Sequence, residues 1–369
     1  MNTTKSRPDL ARHAQEEFLA GRMDRRTFMS LSLAAGAAVL ASGGRARSAA
    51  ASDEVVFCNW GGDANTAFKD LYAPAFKEQT GLTLGLDPSG PYASKVEKMV
   101  GSDSVIWDVT DSDVFDIISL ADKGLLEEID YGTVDAGKVR DGMALKYATH
   151  AYTYSFVLAY DSERVGDSPP TGWADFWDLQ KNPGRRAMWK YMSVYEPALI
   201  ADGVGPQDLY PLDMARAAKK IAEIKGDTIF FDSLAQGQQL FLDGEISMAL
   251  LTSPRATLVG RDTGGRVKIN WNQAQLCPVA WPVIKGGPGG TENALSYIAF
   301  GQDPVLQAKL FETIAYSPSN PAALGHVAAQ YRQDDPLAPG NAEKQYWRDE
   351  AWYAANYGAM VDSILETIA

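Results

Sequence analysis

The sequence predicts an α/β protein of two lobes, each a mixed sheet flanked by helices, joined by a two-strand hinge. Three observations predict it. Strands and helices alternate regularly from residue 54 onward. Two apolar strands, Tyr154–Tyr160 and Val279–Ile284, bracket a second alternating run. A chain of 369 residues with 46% hydrophobic side chains can bury the cores of two domains.

The first 51 residues read as an address. Asp24-Arg25-Arg26-Thr27-Phe28-Met29 sets two arginines and an aromatic before the small and apolar run Met29–Ala41, as in a twin-arginine export signal. That run breaks at Ser42-Gly43-Gly44-Arg45, short of the roughly 20 apolar residues a membrane helix needs. Small residues at Ser48-Ala49-Ala50-Ala51 then fit a cleavage site, and no cysteine stands there to carry a lipid. Export in the folded state to the periplasm is the expectation.

Beyond the signal, Glu54–Cys58 is a β-branched and aromatic strand followed by the loop Asn59-Trp60-Gly61-Gly62-Asp63. Apolar pairs at 67/68, 71/72 and 75/76 make the next segment an amphipathic helix that Thr80-Gly81 closes. Strands at Leu82–Leu86 and Val105–Thr110 alternate with helices at Tyr92–Val100 and Val114–Lys123. Between the two crossing strands, helices are expected at Trp173–Leu179, Asp213–Lys225 and Leu234–Asp243, and strands at Ala187–Tyr191, Ile246–Leu251 and Val267–Trp271. A further buried strand at Leu295–Phe300 and a helix at Val305–Tyr316 follow a glycine-rich loop, Gly286–Gly290. One lobe is thus built from both ends of the chain, residues 52–157 and 284–330; the other takes 158–283 and 331–369.

Composition removes several classes of function. The net charge is −13, and because residues 1–51 carry eight basic against four acidic side chains, the remainder carries −17. So acidic a body repels nucleic acid and anionic lipid, and no nucleic-acid partner is expected. Cys58 and Cys277 stand far apart in no metal-binding spacing and read as two buried hydrophobes, and only His150 and His326 remain after the signal. Neither a GxxxxGK[ST] loop nor a GxSxG elbow occurs, so no cofactor is expected and no enzyme is read.

The mature chain resembles the periplasmic solute-binding proteins of ABC importers, in their polyamine-binding (spermidine/putrescine) branch, over nearly its whole length. The residues that carry the resemblance are Val55-Val56-Phe57-Cys58-Asn59-Trp60, Phe76-Lys77-Glu78-Gln79-Thr80-Gly81, Trp173-Ala174-Asp175-Phe176-Trp177, Phe241-Leu242-Asp243-Gly244-Glu245-Ile246 and Tyr316-Ser317-Pro318-Ser319-Asn320, in that order. The resemblance implies a type II periplasmic-binding-protein fold, the Venus flytrap. It also implies a small-molecule solute held between the lobes, an inner-membrane permease as partner, and a monomer. An aromatic in the first strand-to-helix loop lies against the ligand in that family, and Trp60 takes that place here.

The cleft departs from the polyamine pattern. Where the family carries two acids, this chain reads Trp189-Lys190-Tyr191, and near the second crossing strand Asn293 replaces an acid. Leu251-Thr252-Ser253-Pro254-Arg255 would open a helix with Ser253 as N-cap, placing Arg255 beside a positive helix terminus where it suits a carboxylate, or else a surface salt bridge. Asp111 and Asp113 end the third strand and would pair with an ammonium or cap the following helix. Trp60, Asp111, Asp113, Trp189, Tyr191, Arg255 and Asn293 are therefore the candidate ligand residues, for a small zwitterion or carboxylate such as a γ-amino acid. Polyamine binding is the alternative. Ferric binding and an exported enzyme stand behind it, the former because no adjacent tyrosine pair occurs.

Overall fold

The computed structural model describes residues 52–165 and 168–369; the expected export signal lies outside the described residues. Strand β1 (Glu54–Cys58) buries Val55 and Phe57 completely. The chain returns through helix α1 (Asp63–Ala67), a π turn at Phe68–Tyr72 and helix α2 (Ala73–Thr80) to a parallel neighbour, β2 (Thr83–Asp87). Gly81, at φ 79°, ends α2 in the left-handed conformation that glycine adopts without penalty. Helix α3 (Ala93–Gly101), the short strands β3 (Val109–Thr110) and β4 (Ser112–Asp113), helix α4 (Val114–Asp122) and strand β5 (Leu126–Glu127) follow. Of the strand expected at Val105–Thr110, only its last two residues pair.

The crossing strands are longer than expected. Strand β6 (Ala148–Asp161) is buried along all of its 14 residues. After it come α5 (Trp173–Trp177), β7 (Arg186–Trp189), α6 (Tyr195–Ala201), α7 (Met214–Ala222), β8 (Thr228–Phe231), α8 (Leu234–Leu242), β9 (Met248–Thr252) and α9 (Ser253–Asp262). Strand β10 (Val267–Ile284) then runs for 18 residues antiparallel to β6. Strands usually run to about five or six residues, so this pair is built to connect two sheet regions rather than to fill one.

The sheet order is β2-β1-β3-β10-β6-β9-β7-β8. Its first group, β1 to β3, is parallel and joins the carboxyl end of β10 through Val283 opposite Val109. The second group, β7 to β9, joins the carboxyl half of β6 through Phe156 to Tyr160. Parallel strands covered on both faces by helices are the architecture that alternating elements require.

One expected strand is a helix. Leu295–Phe300 lies inside α10 (Thr291–Gly301), with Ala294, Leu295, Tyr297 and Ile298 buried on one stripe. A short apolar run bounded by glycines fits either element, and here the 3.6-residue period decides. Helix α11 (Pro304–Ile314), strand β11 (Ser317–Pro318), helix α12 (Pro339–Ala342), strand β12 (Tyr346–Trp347) and helix α13 (Glu350–Ile368) complete the chain. Helix α13 packs against both α4 and α7. Cys58 and Cys277 are free and buried, as two small hydrophobes would be. Among the described residues, no helix is long and apolar enough to cross a membrane.

Candidate functional site

The carboxyl ends of strands from both groups converge on one cavity of about 50 Å³. Trp60 reaches it from the end of β1, Asp113 from β4, Trp189 from β7 and Arg255 from the helix that follows β9, with Tyr154 and Tyr316 between them. Strand carboxyl ends are where a doubly wound sheet offers its loops to a ligand.

Each side chain is held by its local sequence. Asn59, fully buried, accepts from the Gly61 amide at 2.8 Å and donates to Asn65 at 3.1 Å, which folds the Trp60 loop back on itself. Gly62 then takes φ 59°, and a Cβ there would lie 3.2 Å from Arg255 Nη2, so backbone and guanidinium meet with no room for a side chain. Tyr92 packs edge-on against the Trp60 ring at 5.5 Å.

Arg255 sits in the first turn of α9. The N-cap is Thr252 rather than Ser253, and the Ser253 hydroxyl instead accepts from the Ser155 amide of β6 at 3.0 Å. From there Arg255 Nη1 donates to Gln238 Oε1 at 2.8 Å and to Asp63 Oδ2 at 2.6 Å. The arginine side chain is only 12% exposed, whereas Asp63 is 53% exposed. The pair links the first residue of α1 to the first turn of α9, so it spans the cleft.

Across the cavity, Asp113 is 3% exposed. Its Oδ1 accepts from Tyr154 Oη at 3.0 Å and from Arg348 Nη2 at 2.6 Å. Arg348 lies between the rings of Phe115 and Tyr353, 4.9 and 5.1 Å from their centroids, and its Nε donates to Glu350 Oε1 at 2.8 Å. Burial pushes the Glu350 carboxyl up to about 7 against the pull of Arg348. Asp113 is the residue before α4, but its side chain caps nothing there.

The other candidates fall elsewhere. Asp111 lies beneath the cavity, fully buried, accepting from Tyr152 Oη and Trp281 Nε1, both at 2.9 Å. Burial, reinforced by Asp113, pushes its carboxyl up to about 7. Tyr191 lines a neighbouring chamber of about 640 Å³ that shares the Trp60 and Trp189 rings with the cavity. Its hydroxyl donates to Asp232 at 3.2 Å. Asn293 lies in the first turn of α10, and its amide donates to the Ser52 carbonyl at 3.0 Å. That placement corrects the reading of Asn293 as a cleft residue, which rests on matching it to an acid of the family pattern near the second crossing strand; the first turn of α10 instead turns it toward the start of the described chain.

The cavity also uses residues that were not selected. Tyr152 and Tyr154 project on one side of β6 two residues apart, and Tyr316 stacks on Tyr152 at 3.8 Å. The alternation Tyr152-Thr153-Tyr154 was the available signal. Asp63 and Arg348 gave none, because each meets its partner across more than 190 residues of chain. Chemically the cavity offers a cation and a carboxylate, separated by aromatic walls. Among the described residues, no group of three or more His, Cys, Asp or Glu side chains could hold a metal ion.

Comparison with known proteins places the chain. The family described as "Bacterial extracellular solute-binding protein" matches residues 72–339. A "Gamma-aminobutyric acid-binding protein" of Pseudomonas aeruginosa is 29% identical over 313 residues, covering 81% of this chain and 88% of that one. The solved structure of the Atu4243-GABA receptor superposes with a TM-score of 0.78 at 30% identity, covering 86% of this chain and 98% of its own. An ABC transporter substrate-binding protein from Bradyrhizobium japonicum USDA 110 gives 0.79 at 32% identity, over 86% and 99%. These are two-lobed periplasmic binding proteins, and the strand groups joined by β6 and β10 are the same architecture. The chain belongs to the bacterial extracellular solute-binding proteins, which capture small-molecule solutes for ABC importers.

Proposed function

We propose that this protein captures a small zwitterion, with ammonium and carboxylate at separated ends, and delivers it to an inner-membrane permease. A γ-amino acid of the size of γ-aminobutyrate is the solute the site supports best. One observation carries the reading: Arg255, from the helix after β9, and Asp113, from β4 on the far side of β10, line the same small cavity. Each already has a protein partner, Asp63 or Arg348, yet an arginine and an aspartate facing one cavity favour a ligand that brings a carboxylate to the first and an ammonium to the second. The relatives named for γ-aminobutyrate support the same choice.

A polyamine is the second reading, favoured by Asp113 and the aromatic walls. Arg255 opposes it, because a diammonium ligand would meet a guanidinium that is only 12% exposed. In this proposal the lobes comprise residues 52–157 with 284–330, and 158–283 with 331–369, with α13 leaning on both. Arg25 and Arg26 direct twin-arginine export to the periplasm, and the mature protein works as a monomer without cofactor or catalytic step. Bound solute, touching both lobes, stabilises the closed form by its differential affinity for it.

The test is a thermal-shift and calorimetric screen of residues 52–369 against γ-aminobutyrate, other amino acids, spermidine and putrescine. At a hundred times its dissociation constant a ligand stabilises by about 2.7 kcal/mol, a readily seen shift. The reading requires γ-aminobutyrate to outrank the polyamines; a tighter spermidine complex would replace it with the second reading.

A further inference from the structure

Both charged walls of the cavity are answered from behind by an opposite charge. Arg255 is engaged by Asp63 at 2.6 Å across the cleft, and Asp113 by Arg348 at 2.6 Å on the side away from the cavity. The Arg348 side chain is fully buried and does not line the cavity, so it acts on a ligand only through Asp113. Asp63 likewise does not line the cavity, although its partner does. Glu350, the other carboxylate on Arg348, also accepts from the Phe115 amide at 2.8 Å, so its charge is turned toward α4.

An arginine alone in such a pocket would take any anion, and an aspartate alone any cation. With each backed by its opposite, these four charges sum to zero, and the two that face the cavity leave a dipole running from Arg255 to Asp113. A solute of net charge gains at one end and loses at the other, whereas a zwitterion gains at both.

We infer that Asp63 and Arg348 are specificity-determining positioning residues, which balance Arg255 and Asp113 so that the cavity prefers a zwitterion over a dianion or a dication of similar length. This deepens the γ-amino-acid reading and rests on it for the identity of the preferred solute. The charge balance itself can be judged separately.

The probes are γ-aminobutyrate and its two single-end exchanges, succinate for the dianion and putrescine for the dication. Dissociation constants are measured by displacement calorimetry on the protein comprising residues 52–369. Asp63→Asn removes one negative charge beside Arg255 at a site open enough for the protein to stay folded. A unit charge several ångströms from the ligand, partly screened, should tighten succinate about threefold and weaken putrescine about threefold. The ratio of the two constants then moves about tenfold, while γ-aminobutyrate changes by less than about threefold.

Asp63→Glu should restore the original ratio. Arg348→Gln, once its melting curve shows a folded protein, should move the ratio the other way, toward putrescine. If all three constants in Asp63→Asn change by one common factor, or the ratio stays fixed, the inference is overturned and Asp63 is structural only. Should γ-aminobutyrate fail to bind the unaltered protein while the ratio still moves as described, the γ-amino-acid reading falls and the charge balance stands.

Discussion

Replacing Arg255 by glutamine separates two roles that the structure gives this side chain. One is the link to Asp63, whose carboxylate is 53% exposed, so solvent screening limits that pair to a few tenths of a kcal/mol. The other is the contact offered to a ligand carboxylate inside the cavity, from a guanidinium that is 12% exposed. Truncating one partner of a buried charge pair costs about 2–5 kcal/mol. At about 1.4 kcal/mol per decade, the link alone predicts at most a twofold to threefold loss of affinity; the ligand contact predicts from about thirtyfold to several thousandfold. Isothermal titration of γ-aminobutyrate into Arg255→Gln, with the melting temperature measured in parallel, distinguishes them. A loss under fivefold in a folded variant would refute the assignment of Arg255 to the ligand.

Further outcomes follow from neighbouring geometry. Gly62→Ala forces a Cβ to 3.2 Å from Arg255 Nη2 at φ 59°, and titration should show binding weakened about tenfold, with about 1–2 kcal/mol of backbone strain read as a lower melting temperature. Arg348→Met leaves Asp113 and Glu350 without their shared cation; urea denaturation should show a loss of about 3–5 kcal/mol, partly regained in the double variant with Asp113→Asn. Asp111, held up to about 7 in the fold, binds its proton more tightly there than in the unfolded chain. Its contribution to stability is therefore full below about pH 4 and lost as pH rises through 7, so the unfolding free energy of Asp111→Asn should gain on the wild type between about pH 4 and 7, by a few kcal/mol at most, read as a relative rise in melting temperature.

Much of this arrangement was legible because strand ends and glycines mark a cleft. Trp60 follows a strand and precedes two glycines, and Arg255 follows a strand and a proline; both are reached by local rules, and both line the cavity. Asp111 and Asp113 share one sequence signal, yet the first reaches inward to Trp281 and the second toward the cavity, a difference of depth that alternation does not encode. Leu295–Phe300 reads as a strand because an apolar run of six residues satisfies strand and helix equally, whereas Asn293 was misplaced by matching one position of a family pattern without the fold around it. Asp63 and Arg348 were out of reach altogether. Their partners are brought close only by the folding of distant segments, and Arg348 arrives directly after β12 at the far end of the chain. The crossing strands were recognised by their apolar cores and Val267–Trp271 as a separate strand; the polar stretch Asn272 to Gln275 hid that it runs on into Val279–Ile284 as one strand.

The most direct measurement is a crystal structure of residues 52–369 grown with γ-aminobutyrate. The account predicts the solute between Trp60 and Trp189, its carboxylate on Arg255 and its ammonium on Asp113. A solute seated elsewhere, or bound with its ends exchanged, would contradict it.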